Sequence, residues 1–404
     1  MNRGFLRAGH LPTLVAAFLY FDVSFMVWVI LGPLAVFVAK DLHLNPAQKG
    51  LMVATPVLAG AVLRIASGVL ADHLKPRLAG ILMQTVVIAG LAAFWAFGVS
   101  SFGATLALGI VLGVAGASFA VALPLASYWY PPERQGIALG IAGAGNSGTV
   151  LAALFAPSLA VLIGWRNVLG LTIVPLAIVL ALFIPLAKDS PRSPPRKSLK
   201  DYADVLRASD AWWLMAFYCV SFGGFVGLSS FLPIYFNDQY ALSPVSAGSC
   251  TAAAVFAGSF IRPFGGAVAD RIGGVRALSF VYGLVAVLAL ILSHGIANLG
   301  LALPIIIAIM GALGAGNGAV FQIAPQRFPR NVGVVTGLVG ATGGAGGFYL
   351  AASLGAAKQF TGGYGAGLAI FACLALAALT ALTGVGARWR RTWLDRSALA
   401  AANA

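Results

Sequence analysis

The chain has 404 residues, of which 60% are hydrophobic and only 9% charged, with 50 glycines and a formal net charge of +14. A soluble domain carries roughly 25% charged residues, so this composition excludes a water-soluble globular protein and describes a polytopic membrane protein. The basic balance suggests nucleic acid as a partner, but the positions of the charges exclude it.

Apolar stretches place twelve spans at about 12–39, 48–71, 77–98, 102–130, 136–162, 166–186, 211–236, 244–269, 276–293, 299–326, 331–357 and 363–386. The first run is too long for a signal-peptide core and leads straight into the second, so it reads as a retained helix. Residues 188–210 are polar and open with Ser190-Pro191-Arg192-Ser193-Pro194-Pro195-Arg196-Lys197. Proline breaks helices and the charges keep this stretch in water. It divides the chain into a six-helix bundle over 1–187, a linker over 188–210 and a second six-helix bundle over 211–387, with a tail over 388–404. The remaining loops are a few residues long. Neighbouring spans are therefore antiparallel, and no room is left for a soluble catalytic domain.

With both termini in the cytoplasm, only Lys40, Lys49, Arg166 and Lys358 of the 25 Lys and Arg fall outside, and Arg64 and Arg262 lie within spans. The rest lie on cytoplasmic segments, which is the positive-inside pattern. The expectation is a multi-pass protein of the inner membrane with cytoplasmic N and C termini. The string Arg388-Trp389-Arg390-Arg391-Thr392-Trp393 reads as an anchor to anionic lipid.

The two halves repeat. Arg64-Ile65-Ala66-Ser67-Gly68-Val69-Leu70-Ala71-Asp72 returns as Arg262-Pro263-Phe264-Gly265-Gly266-Ala267-Val268-Ala269-Asp270. Val23-Ser24-Phe25 returns as Val220-Ser221-Phe222, and Gly116-Ala117-Ser118-Phe119 as Gly318-Ala319-Val320-Phe321. Matches in chain order at a nearly constant offset mark an internal duplication. The expected fold is all-α and membrane-integral, with twelve helices in two pseudo-symmetric bundles and a site near mid-depth between them. The loops after spans 2 and 8, containing Asp72 and Arg77, and Asp270, Arg271 and Arg276, resemble the cytoplasmic signature of the major facilitator superfamily. These five residues are expected to latch the halves together in the outward-open state.

An arginine near the centre of a bilayer costs at least about 2.5–3.5 kcal/mol. Arg64 lies about eight residues, or roughly 12 Å, from the cytoplasmic end of its predicted helix, too deep for easy snorkelling, and Arg262 is placed alike. Of the 11 acidic residues only Asp22 falls inside a predicted span, so the two cations lack counter-charges. A guanidinium is planar, permanently charged and forked, which suits a small planar oxyanion gripped from two sides. Span 5 contains Gly140, Gly143, Gly145, Asn146 and Gly148, and span 11 contains Gly337, Gly340, Gly343 and Gly344. Glycine at this density allows close helix approach and sliding. Asn146 adds an amide at mid-depth.

Arg64, Arg262, both glycine stretches and Asn146 together resemble the nitrate/nitrite porter family of the major facilitator superfamily, over essentially the whole chain. The resemblance implies that the two arginines clamp the anion. It also implies that Phe119, Phe321, Tyr218 and Phe222 close the pocket around it. Asp22 has no equivalent in the second half, where Cys219 stands. Two readings of it stay open: a titratable carboxylate carrying a coupling proton, or a hydrogen-bonded group capping a broken helix.

Cys219, Cys250 and Cys373 fall in apolar segments, and His10, His43, His73 and His294 show no ligand spacing, so no metal or cofactor is expected. No nucleophile–base set appears, so no enzyme is expected. The sequence reading is a monomeric carrier in the lipid bilayer that takes up nitrate, or nitrite, with protons. Nitrate/nitrite exchange, another small anion and an anion channel are the alternatives.

Overall fold

The computed structural model describes residues 8–191, 199–329 and 331–394. The string at 192–198 and the end of the tail from 395 lie outside the described residues. Among those described, every regular element is a helix. Twelve are long and apolar enough to cross a membrane: Leu11–Asp41, Pro46–Leu74, Pro76–Phe97, Phe102–Ser127, Ala138–Ile163, Trp165–Leu186, Ser209–Tyr240, Pro244–Ile272, Gly274–Ser293, Leu299–Arg327, Val332–Thr361 and Gly365–Leu394. They are called spans 1 to 12. The end of the bundle bearing the termini and the linker is called the basic end, and the opposite end the far end.

Four spans of the first half are broken: span 6 divides at Thr172 into Trp165–Leu171 and Ile173–Leu186, and the other three breaks each have a local cause or consequence. Span 1 divides into Leu11–Trp28 and Leu31–Asp41. Pro33 lacks the N–H that would bond the Val29 carbonyl, and the Gly32 N–H takes that carbonyl instead at 2.9 Å. Span 4 divides into Phe102–Gly116 and Phe119–Ser127. There the Ala120 N–H bonds Ala117 at 3.0 Å and abandons its helical partner, the Gly116 carbonyl. Span 5 passes through a tight turn at Ala144–Ser147 before resuming as Gly148–Ile163. Spans 7, 8, 10 and 11 in the second half are unbroken.

The halves meet along spans 2 and 11, 5 and 8, and 1 and 7. At the far end they touch backbone to backbone. A methyl added to Gly32 would lie 2.6 Å from the Ser230 carbonyl oxygen, one at Gly50 2.9 Å from that of Ala351, and one at Gly248 2.5 Å from that of Ala153. Lys49 adds an ion pair to Asp238 at 3.3 Å, and the Tyr364 hydroxyl donates to the same carboxylate at 2.8 Å. Toward the basic end this contact stops. A methyl at Gly140, Gly143, Gly333 or Gly337 would meet nothing within 4 Å. Helices Phe119–Ser127 and Pro132–Gly143 pack chiefly on their own half. The molecule is closed at the far end and parted at the basic end.

The linker is not wholly irregular. A helix forms at Leu199–Arg207, with Val205 buried and the Leu206 carbonyl accepting from the Trp212 indole at 2.7 Å. Its apolar residues recur three to four apart, a helical spacing that the prolines upstream conceal. Asp210 is buried at the start of span 7. It accepts from Arg327 and Arg388 at 2.5 Å each and from the Trp389 indole at 2.8 Å, tying the basic ends of spans 7, 10 and 12 together.

The two glycine types predict opposite tolerances. Gly148→Ala would drive a methyl into the Asp22 carbonyl oxygen, whereas Gly140→Ala meets open space. Overpacking of a tight contact costs about 1–3 kcal/mol, so thermal unfolding in detergent is expected to show a clear loss for Gly148→Ala. Gly140→Ala is expected to leave the melting temperature nearly unchanged.

Candidate functional site

Arg64 is 3% exposed, and no carboxylate pairs with it among the described residues. Its charge is met by carbonyls. One terminal nitrogen donates to Gly340 of span 11 at 2.6 Å, and the other donates to Gly116 of span 4 at 3.0 Å. The Gly116 acceptor is the one released by the break in span 4. Arg64 thus crosses the boundary between the halves, while its Nε remains without a partner. Aromatic faces complete its surroundings: its guanidinium carbon lies 5.0 Å from the Phe119 ring centre, 5.8 Å from Trp28 and 5.9 Å from Phe222. Ring faces carry negative potential and favour a cation at these distances.

Arg262 stands across from it on span 8, half-buried, and likewise forms no ion pair among the described residues. It donates to the Tyr218 hydroxyl at 3.4 Å and lies 5.8 Å from the Phe321 ring. Tyr218 is stacked on Phe222, with ring centres 5.1 Å apart, and packs on Phe321 at 4.9 Å. Both arginines are close enough to Tyr218 to interact with it electrostatically, and Arg64 feels the charge of Arg262. The six residues expected from the sequence (Arg64, Arg262, Phe119, Phe321, Tyr218 and Phe222) therefore surround one centre.

Asn146 lies in the tight turn of span 5, buried, with its side-chain oxygen unpartnered. The glycines serve three different purposes. Gly340 leaves room for Arg64, since a methyl there would sit 3.2 Å from its terminal nitrogen. Gly344 admits Ala61 of span 2, Gly343 admits Tyr218 and Phe222, and Gly145 and Gly148 admit span 1. Gly140, Gly143 and Gly337 make no such approach and face the parted region.

Asp22 is buried away from both arginines. It accepts from the Ser147 hydroxyl at 2.7 Å and from the Gly148 backbone. These groups open the second helix of span 5, whose N-terminal end carries partial positive charge. Of the two readings of Asp22, this geometry matches the cap. Arg77 bonds within its own half, its backbone N–H to Asp189 at 3.0 Å and its side chain to the Ile184 carbonyl at 2.7 Å. Asp270, Arg271 and Arg276 are exposed, and their side chains form no ion pair among the described residues. Asp72 lies near Tyr128 and Tyr202. In the conformation described, Arg77 thus bonds within its own half and the side chains of Asp270, Arg271 and Arg276 stand in the open.

Sequence reasoning missed Trp28, which supports Arg64 and donates to the Pro56 carbonyl at 2.7 Å. It also missed the two carbonyls that hold Arg64, since a backbone acceptor leaves no mark on residue identity. The Lys49–Asp238 pair was likewise unseen, being two unremarkable loop-end charges far apart in the chain.

Comparison with known proteins places this geometry in a wider group. Residues 16–351 match the family model described as Major Facilitator Superfamily. The chain is 33% identical over 355 residues to the "Nitrite extrusion protein" of Bacillus subtilis, covering 88% of this chain and 89% of that one. It is 33% identical over 377 residues to the "Probable nitrate/nitrite transporter NarK2" of Mycobacterium tuberculosis, covering 92% and 95%. It is 29% identical to the "Probable nitrate/nitrite antiporter NarK1" of Thermus thermophilus, covering 88% and 87%. Among solved structures, a bacterial homolog to the human lysosomal transporter Spinster, inward-facing and occupied, superposes with a TM-score of 0.68 at 19% identity, over 95% of this chain and 97% of that one. That likeness concerns the fold.

The cap at Asp22 is open to direct measurement. Asp22→Leu orphans the Ser147 hydroxyl and the Gly148 N–H, at a cost of about 1–3 kcal/mol. Asp22→Asn keeps an acceptor oxygen. Thermal stability in detergent is expected to fall clearly for the first and slightly for the second. Equal melting temperatures for Asp22→Leu and the wild type would remove the cap.

Proposed function

Since the chain belongs to the nitrate/nitrite porter family of the major facilitator superfamily, we propose that it carries nitrate or nitrite across the membrane by alternating access, each inward passage exchanged for an outward one. The observation that carries this reading is the pair Arg64 and Arg262, facing one aromatic-walled centre from opposite halves with no carboxylate among the described residues to neutralise either. A planar oxyanion supplies the missing charge and presents oxygens to both forks. The relatives' names point to the same substrates. The protein is a multi-pass membrane carrier and not an enzyme. The basic end is proposed to be cytoplasmic, in the inner membrane of the cell, from the side on which Lys and Arg gather, and the working unit a monomer.

Exchange follows from electrostatics. Two unit charges about 6 Å apart at an effective dielectric near 20 repel by roughly 3 kcal/mol. With an anion between them the repulsion becomes attraction, so the loaded carrier closes and reopens more readily than the empty one. Carriage in one direction must then be matched by carriage in the other. The latch loops would engage when the basic end closes. Proton-coupled uptake is the second reading, favoured by the buried carboxylate of Asp22.

Proteoliposomes separate the two. Nitrite or nitrate loaded inside is expected to accelerate uptake of labelled nitrate, and an imposed pH gradient without internal anion is expected to produce none. Accumulation driven by the pH gradient alone, lost in Asp22→Asn, would replace exchange with proton coupling. Arg64→Lys and Arg262→Lys keep the charge and lose the fork. Each is expected to reduce exchange by about 100-fold, the scale of one or two charge-assisted hydrogen bonds. Near-normal exchange in both would refute the clamp.

A further inference from the structure

Buried polar atoms in an apolar setting ordinarily find partners. Several in this molecule do not, and two of them flank Arg262: the side-chain oxygens of Ser259 on span 8 and Asn317 on span 10. Asn317 is only 1% exposed, and neither end of its carboxamide forms a hydrogen bond among the described residues. No feature of the exchange argument uses it.

Its direction follows from its helical neighbours. Leu313 meets Gly224 of span 7, and Gly318 meets the Arg262 carbonyl and Gly266 of span 8. Asn317 lies between these two bearings, facing the seam of spans 7 and 8. Phe321, one turn along the same face, touches a residue on each side of that seam, Tyr218 and Arg262. Span 10 runs from the far end to the basic end, so Asn317 lies about 6 Å from Phe321 toward the closed end. Ser259 lies one turn from Arg262 in the same direction.

We infer that the Asn317 carboxamide is a further substrate-contacting group, donating through its amide nitrogen to an anion oxygen that points toward the closed end. This inference rests on the nitrate/nitrite reading and extends it to selectivity. Nitrate has three oxygens and nitrite two. Two guanidinium groups approaching from opposite halves engage two oxygens of either anion. The third oxygen of nitrate is left for the amide, which is already buried and gains its missing partner only when that oxygen is present. Asn317 therefore favours nitrate over nitrite.

The test is exchange kinetics in proteoliposomes for wild type, Asn317→Leu and Asn317→Thr, with labelled nitrate and nitrite assayed separately. Loss of a hydrogen bond to a charged group changes affinity by about ten-fold. Asn317→Leu is expected to raise the KM for nitrate by about that factor and the KM for nitrite by less than about three-fold, and Asn317→Thr is expected to fall between. Should the leucine variant fail to fold, the threonine variant reads the same ratio. A nitrate-to-nitrite KM ratio equal to the wild-type value in folded variants overturns the inference, because a merely structural role affects both anions alike. Wild-type protein that exchanges neither anion refutes the functional reading itself, and that outcome is distinct from an unchanged ratio.

Discussion

A buried guanidinium with no carboxylate beside it among the described residues is the constraint on which the architecture rests. Charge in a low-dielectric interior must be met by something. Here backbone carbonyls meet it in part, and one of them is available only because span 4 breaks its own hydrogen-bond ladder at Gly116. Carbonyl dipoles hold the guanidinium in place without cancelling its net charge. A carboxylate in the same position would neutralise Arg64 and leave an anion no reason to enter.

The second carbonyl belongs to the opposite half. Arg64, proposed above as a binding group, is thus also a strut between bundles, so on that proposal occupancy of the centre and the relation of the halves are physically linked. Glycine makes the strut possible. Gly340 has no side chain to hold Arg64 away, and Gly344 lets span 11 lie against Ala61. The far end is sealed by the same means, with backbone against backbone and one ion pair at the rim.

The halves repeat in sequence but have diverged in local structure. The first has broken spans and the second continuous ones. Asp22 belongs to this divergence. It holds the tight turn of span 5 against span 1 and thereby fixes where Asn146 sits. Cys219, at the corresponding place on span 7, abuts Gly346 through its backbone and has no turn to cap. The asymmetry gives each arginine a different setting: Arg64 is locked by carbonyls, while Arg262 is half-exposed and leans on a tyrosine hydroxyl.

Twelve spans, the duplication and the two central arginines were all legible in the chain, because they follow from composition, periodicity and the cost of charge in lipid. The aromatic ring residues came from family resemblance, since lipid-facing and pocket-facing aromatics look alike in a sequence. The glycine stretches showed that helices approach closely without showing which glycines do so. Gly148 and Gly344 are in tight contact, and Gly140 and Gly337 in open space, because that depends on which end of the molecule is parted. Asp22 can be read from the sequence as a proton carrier or a cap, and the 2.7 Å hydrogen bond from Ser147 that speaks for the cap appears only in the fold. The acceptors of Arg64 and the unpartnered amide of Asn317 were invisible for one reason. Backbone oxygens carry no letter in a sequence, and whether a buried polar group has a partner is a property of two chain segments brought together, which only the tertiary structure decides.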